Sequence, residues 1–178
     1  MKRARITFLL KFKARDIRKK VIFSEYKTED FSALLNFYNK EGEPVDDWSL
    51  FIKRLDSLDG CGFCLIAKYR TKVAGSITIR MLPQEISDCR EWWIFGLLVG
   101  KRYRGAGIGK ILMDKAIGMA KRDGAKEIKL MVNTKSIPAI NFYKKFGFAE
   151  VLFRGIDENP GKREAGYKKE YLAMMLKT

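Results

Sequence analysis

The sequence predicts one α/β domain: a mixed, mostly antiparallel sheet of seven strands with about four helices on both faces. Two observations carry that expectation. The chain has 178 residues, one domain's length, and its 47% hydrophobic content suits a single continuous core. Apolar spacing then reads in order as strand, two helices, three strands, helix, strand, helix, two strands. That order mixes hairpins with crossovers, so parallel and antiparallel pairing must share one sheet.

Val21 to Tyr26 reads as the first strand. Thr28 is placed to cap a helix with Glu29 and Asp30 in its first turn and Phe31, Leu34, Leu35 and Tyr38 inward. Gly42 and Pro44 break it. A second helix from about Asp46 to Leu58 carries Trp48, Phe51, Ile52 and Leu55, and Gly60 ends it. Phe63 to Tyr69 and Val73 to Met81 form a hairpin around Arg70-Thr71-Lys72. After a turn over Pro83 to Asp88 comes the strand Glu91 to Val99. Ile108, Ile111, Leu112, Ala116, Met119 and Ala120 have helical spacing within Gly107 to Asp123, and Gly124 stops that helix. Glu127 to Val132 is a strand, Ile137 to Phe146 a helix, and Phe148 to Arg154 a strand. A polar loop, Gly155 to Gly166, precedes the last strand, Tyr167 to Leu176. Residues 1–20 read as a basic extension and 21–178 as a single domain.

Composition removes several function classes. The chain contains no histidine, which excludes Ser-His and Cys-His nucleophilic catalysis and any histidine base. Cys61-Gly62-Phe63-Cys64 has the spacing of a redox pair or half a zinc site. With three cysteines in all and no histidine, a four-ligand zinc site cannot be assembled within one chain, so no metal is expected. The segment after Cys64 reads as a strand rather than the helix N-terminus that would lower a thiol pKa, so the cysteines are expected to be small core residues. An odd cysteine count fits a reducing compartment. No apolar run reaches the ~20 residues of a membrane span. The basic start resembles a signal n-region, but Lys11 and Lys13 break the apolar stretch and no small-residue cleavage site follows. A soluble cytoplasmic protein is expected.

The formal charge is +15, from 36 Lys+Arg against 21 Asp+Glu, much of it in the first twenty residues. Such an arm could steer an anion or bind nucleic acid. Single-strand binders interleave basic residues with exposed aromatics, whereas Trp92, Trp93, Phe95, Phe142 and Phe146 fall on elements expected to be buried. A nucleic-acid partner is therefore not favoured.

The most informative stretch is Leu97-Leu98-Val99-Gly100-Lys101-Arg102-Tyr103-Arg104-Gly105-Ala106-Gly107-Ile108-Gly109-Lys110. A strand passes through a glycine-rich turn into a helix whose first amides have no intrahelical partner. Glycines let a phosphate reach those amides, and Arg102, Arg104 and Lys110 add positive charge. The P-loop pattern fails at Arg104 and Ile111, and the dinucleotide pattern fails at Lys110.

Arg104-x-x-Gly107-x-Gly109 after a strand ending in Leu-Leu-Val resembles the acetyl-CoA signature of the GNAT superfamily of N-acetyltransferases. Pro138 to Phe148, with Phe142-Tyr143-x-x-x-Gly147-Phe148, is similar to that superfamily's second signature, and the element order matches from Val21 to Leu176. The resemblance implies transfer of acetyl from acetyl-CoA, a co-substrate, directly to a primary amine. It implies that backbone groups of Leu97, Leu98 and Val99 bind the pantetheine arm and oxyanion. Arg104 and the amides of Gly105, Ala106, Gly107, Ile108, Gly109 and Lys110 would hold the pyrophosphate. Tyr143 matches the tyrosine that lies near the sulfur and protonates the thiolate. Ser136 stands where the family often has a CoA-contacting asparagine, and serine also suits a helix N-cap. Family positions for a base are occupied here by Met131 and Trp93. Glu91, two residues before Trp93 and on the same strand face, is the candidate base. The acceptor, an amine-bearing small molecule or peptide, is shaped in this family by the segments around Lys40 to Trp48 and Gly155 to Gly166. A catalytically weak acyl-CoA sensor is the competing reading, and a homodimer is left open.

Overall fold

The computed structural model describes residues 16–17, 19–42, 48–56, 61–83, 90–151 and 171–178. The strands are β1 (Val21–Glu25), β2 (Gly62–Tyr69), β3 (Lys72–Pro83), β4 (Arg90–Val99), β5 (Glu127–Asn133), β6 (Ala149–Glu150) and β7 (Tyr171–Lys177). The α-helices are α1 (Phe31–Glu41), α2 (Trp48–Lys53), α3 (Ile108–Arg122) and α4 (Ile137–Lys144). The strands form one sheet in the order β1-β2-β3-β4-β5-β7-β6. Its pairs are antiparallel except β4 with β5. The mixed sheet, the seven strands and the four helices are those expected.

Alternation along the strands sends side chains to two cores. Ile77 and Ile79 of β3, Trp92 and Ile94 of β4, and Ile128 and Leu130 of β5 face the larger one. There α3 covers them with Ile108, Leu112, Met113, Ala116 and Ala120, all buried and spaced to fall on one helix face. Each large aliphatic so buried contributes about 1.5–3 kcal/mol, which fixes α3, and with it the turn that precedes it, against the sheet. On the opposite face Leu34, Phe37 and Tyr38 of α1 and Ile52 of α2 pack over Cys64 and Ile66 of β2. Ile17, inside the stretch expected to be an extension, is partly buried against the larger core.

Several local expectations are corrected. Thr28 does not cap the first helix. Its hydroxyl donates to Asp56 at 3.0 Å, and a short 3-10 turn, Thr28–Asp30, precedes α1. Asp30 closes that turn instead, its carboxylate accepting the Lys27 backbone N–H at 3.2 Å and pairing with Lys68. Ser136 occupies the N-cap position of α4, but its side chain makes no cap hydrogen bond; its carbonyl accepts from Ala139 and Ile140 at 2.9 and 3.0 Å. Phe148 lies in the turn before β6, which is a two-residue strand. Asp46, Leu58, the turn after Pro83, Cys89 and the loop Gly155 to Gly166 lie outside the described residues.

Two irregularities in β4 position the site. Its parallel pairing with β5 covers Trp92, Trp93 and Ile94 and goes no further, although β4 runs on to Val99. On its other edge Ile77 pairs with Leu97 and Ile79 with Ile94, so Phe95 and Gly96 both stand opposite Thr78. That is a β-bulge, and Gly96 takes φ 150°, a conformation that a side chain disfavours.

Candidate active site

Where β4 leaves β5, a cleft of about 690 Å³ opens, lined from both sides of the sheet. Its lining includes Trp93 and Phe95 of β4, Met131 of β5, Tyr38 of α1, Trp48 of α2, and Ser136 and Tyr143 at α4. Phe95 and Met131 are among the exposed large hydrophobic residues, at 40% and 38%. An apolar lining open to solvent is the usual character of a ligand site.

Of the residues singled out from the sequence, Glu91, Leu97, Leu98, Ser136 and Tyr143 line this cleft. Among the described residues β5 pairs with no β4 residue past Ile94, so the backbone groups of Leu97 and Leu98 that face it make no ladder bonds. The Val99 carbonyl is engaged, accepting from Arg104 Nε at 3.0 Å.

Beyond Val99 the chain makes a 3-10 turn over Lys101–Tyr103 and enters α3 through Gly105, Ala106 and Gly107. Gly107 is the N-cap residue at φ 80°, left-handed backbone that a β-branched side chain would strain. A Cβ at Gly105 would meet nothing within 4 Å, so this turn has open space in front of it. A Cβ at Gly109 would stand 3.4 Å from Val99 Cγ2 and 3.8 Å from the Phe142 ring, so here the start of α3, the end of β4 and α4 converge. Ile108 and Ala106 point into the core, leaving their backbone as what they can offer a ligand. The cations are less available than their number suggests. Lys110 pairs with Asp114 at 2.6 Å, and the Arg102 guanidinium lies 5.6 Å from the Tyr103 ring.

Tyr143 is buried to 9% exposure, its ring edge-on to Phe142 and Phe148 with centroids 5.7 and 5.9 Å apart. Its hydroxyl has no hydrogen-bond partner among the described residues. Burial pushes the phenol up to about 12, so it stays protonated well beyond neutral pH.

Glu91 is the one carboxylate among the described residues lining the cleft. Both its oxygens are engaged: Trp93 Nε1 donates to one at 2.9 Å, and Lys129 Nζ sits 2.5 Å from the other. Lys129 was not singled out from the sequence, although its place two residues before Met131 puts both on one face of β5. Tyr38, read from the sequence as core, also reaches the cleft. Its hydroxyl accepts from Ser76 at 3.1 Å, and burial raises its pKa strongly. Cys64 is buried in β2, its thiol pushed up to about 11 by desolvation, while Cys61 is exposed. No helix N-terminus follows Cys64, as the redox pair would require. Among the described residues no group of three Cys, Asp or Glu could hold a metal ion, and no helix is long and apolar enough to cross a membrane.

An open sheet whose one parallel pair splays above a glycine-rich helix entry is an acyltransferase architecture, and the comparisons agree. Residues 23–148 match the acetyltransferase (GNAT) family. The chain belongs to that family of enzymes. It is 31% identical over 108 residues to an N-alpha-acetyltransferase of Sulfurisphaera tokodaii, covering 57% of this chain and 64% of that protein. It is 42% identical over 67 residues to an uncharacterized N-acetyltransferase of Methanocaldococcus jannaschii, covering 38% of this chain and 27% of that one. The matches thus span less than two thirds of these curated relatives. Among solved structures, Arabidopsis thaliana Naa50 in complex with the bisubstrate analogue CoA-Ac-MVNAL superposes with TM-score 0.69 at 23% identity, over 89% of this chain and 99% of that one. Arabidopsis thaliana NAA60 in complex with acetyl-CoA superposes with TM-score 0.69 at 18% identity, over 88% and 98%. At these identities the likeness shows the fold.

Proposed function

We propose that this protein transfers the acetyl group of acetyl-CoA directly to a primary amine. The observation that carries the reading is the coincidence, at one end of β4, of unpaired backbone, a glycine-rich helix entry and a protonated tyrosine. Acetyl-CoA needs each of these: anion-binding amides for its pyrophosphate, strand-like backbone for pantetheine, and a donor near its sulfur. The amides from Gly105 to Lys110, with Arg104, would take the pyrophosphate. Leu97, Leu98 and Val99 would take the pantetheine arm and the oxyanion. Ser136, lining the cleft at the head of α4, would contact the CoA. The peptide portion of the analogue held by Naa50 supports a peptide as one acceptor class, beside small amines. A cytoplasmic location fits the free thiols of Cys61 and Cys64.

In this mechanism the neutral amine attacks the thioester carbon, a C–N bond forms, and the carbonyl oxygen becomes an oxyanion facing backbone donors. The C–S bond then breaks with charge growing on sulfur. A thiol ordinarily titrates near 8.5, so full proton transfer from a phenol at about 12 is uphill. The Tyr143 hydroxyl therefore acts first as a hydrogen-bond donor to the departing sulfur. The nitrogen loses one proton as the amide forms, with Glu91 and solvent as its proposed route out of the cleft, and the released thiolate takes one proton back from solvent.

Thiol release from acetyl-CoA, measured across a panel of peptides and small amines, tests the reading. Release that requires both acetyl-CoA and an amine is expected. Tight acetyl-CoA binding with no amine-dependent release would instead make the protein a sensor.

A further inference from the structure

The sheet face bordering the cleft carries charge that acetyl transfer itself does not use. Arg80 of β3 pairs in register with Trp93 of β4, and Trp93 with Lys129 of β5, so the three stand in a row across the sheet. Their chain neighbours Ile79 and Ile128 point into the larger core, so Arg80 and Lys129 project to the opposite face of the sheet, beside the cleft-lining Trp93. The two cations have different surroundings. Lys129 is paired with Glu91, both side chains about 15% exposed (16% and 15%), and it also lies 6.0 Å from the Trp93 ring centroid. Arg80 stacks on the cleft-lining Phe95, its Cζ 5.7 Å from the ring centroid. Its Nε is buried and makes no hydrogen bond, and among the described residues no carboxylate pairs with its guanidinium.

Buried donors in proteins are nearly always matched, and a guanidinium presents a planar fork that a carboxylate fills with two parallel hydrogen bonds. Stacking on an aromatic ring fixes the plane of that fork before any partner arrives. The cleft's own carboxylate, Glu91, is held by Lys129 and Trp93 on the far side of the row. A polyamine's second ammonium would therefore meet two cations, whereas an anion would meet a guanidinium paired with no carboxylate among the described residues. The charge of +15 also draws anions toward the molecule.

We propose that Arg80, stacked on Phe95, anchors a carboxylate of the acceptor, so that the acceptor is a primary amine bearing an acidic group. The inference rests on the acetyl-transfer reading above and names the substrate class for the same cleft. A free amino acid and a peptide with an acidic residue near its amino end share this chemistry.

The test uses the full chain loaded with CoA and two matched pairs of acceptors. One pair is γ-aminobutyrate and its amide; the other is two tripeptides that differ by glutamate or glutamine at the second position. Calorimetry reads binding, and acetyl-CoA turnover reads kcat/KM. At least one acid is expected to bind roughly tenfold more tightly than its amide, the scale of a charge-assisted bidentate contact. Arg80→Gln should bring that ratio close to one, Arg80→Lys should restore part of it, and added salt should shrink it. A preference within the small pair identifies an amino-acid-like acceptor, and one within the peptide pair an acidic peptide. Equal binding of acid and amide in both pairs, or a preference that survives in Arg80→Gln, overturns the proposal. Amides acetylated as fast as acids would remove the Arg80 inference and leave acetyl transfer standing. Carboxylate-dependent binding with no acetylated product would do the reverse.

Discussion

Tyr143→Phe separates catalysis from packing at the residue where the two coincide. The ring is buried against Phe142 and Phe148, and the substitution keeps it, so those edge contacts survive. The hydroxyl makes no hydrogen bond with a described residue, so removing it leaves no buried partner unsatisfied. The stability change should stay below about 1.5 kcal/mol, as for other shape-conserving swaps. Hydrogen bonds to charged groups contribute about 1.5–3 kcal/mol, and here the charge develops on sulfur only as the C–S bond breaks. That range corresponds to a fall in kcat of roughly 10- to 150-fold, at about 1.36 kcal/mol per decade. The acetyl-CoA affinity should hold within about twofold, because the turn before α3 is untouched and the lost interaction belongs to the transition state. Thiol release under saturating acetyl-CoA gives kcat, calorimetry gives the affinity, and urea unfolding gives the stability. Wild-type turnover in the variant would make Tyr143 a packing residue. A loss of folded protein would show that the hydroxyl satisfies a buried partner instead.

Glu91→Gln keeps an acceptor for Trp93 Nε1 but removes the negative charge beside Lys129. If Glu91 takes the amine's proton, kcat/KM should fall about a hundredfold at neutral pH, and the deficit should narrow as pH approaches the amine's own pKa; a deficit constant with pH would indicate lost positioning. Gly107→Val forces a β-branched residue into φ 80°, with strain of about 1–3 kcal/mol on the turn. The protein should stay folded while acetyl-CoA affinity falls by about two orders of magnitude or more; unchanged affinity by calorimetry would remove this turn from the pyrophosphate site. Stability should decline in alkali, because burial raises the folded pKa of Tyr143 to about 12 and of Cys64 to about 11, and that of Tyr38 as well. With folded values above unfolded ones, the stabilisation is complete below about pH 9 and is lost between pH 9 and 12, at up to about 1.4 kcal/mol per pH unit for each group. Urea midpoints flat across that range would contradict the burial of these groups.

The strands and both long helices were legible because their apolar residues repeat at two distinct periods. In β5, for example, the buried Ile128, Leu130 and Val132 alternate with the more exposed Glu127, Lys129, Met131 and Asn133, whereas Leu112, Ala116 and Ala120 recur every fourth residue. The helix entry was legible because glycines crowded between a strand and a helix have few other uses. Caps were misread where several candidates stood together. Thr28, Glu29 and Asp30 can each accept a backbone N–H, and long-range contacts decided: Asp56 engages the threonine and Lys68 the aspartate. The charged row beside the cleft was missed because Arg80 and Lys129 sit on strands otherwise read as core. Their charge signalled the face away from the larger core, but pairing register was needed to bring them beside Trp93. Gly96 inside a strand was a sequence signal of the bulge that went unread.

That bulge would let a chain without histidine host the proposed chemistry. At Ile94 the ladder to β5 ends, and on the opposite edge of β4 the next two residues share one partner, so both disturbances fall on one point. An extra residue bends a strand and increases its twist, which turns the end of β4 away from its parallel neighbour. Beneath the bulge the sheet face is polar rather than apolar. Ser76 and Thr78 are fully buried, and the Tyr38 hydroxyl, bonded to Ser76, lies 3.6 Å from where a Gly96 Cβ would stand. Buried hydroxyls are expensive in an apolar core unless they serve a local geometry, and here they lie directly under irregular backbone. The consequence is a strand end that makes no ladder bonds on its β5 side and is held by packing against α3. Backbone donors of this kind stabilise an oxyanion without titrating, and the remaining donor, Tyr143, is protonated throughout the neutral range. In the proposed mechanism the acceptor's own amine is then the main group whose protonation governs rate near pH 7, and the cleft that selects this amine, with Arg80 beside it, would set the protein's specificity.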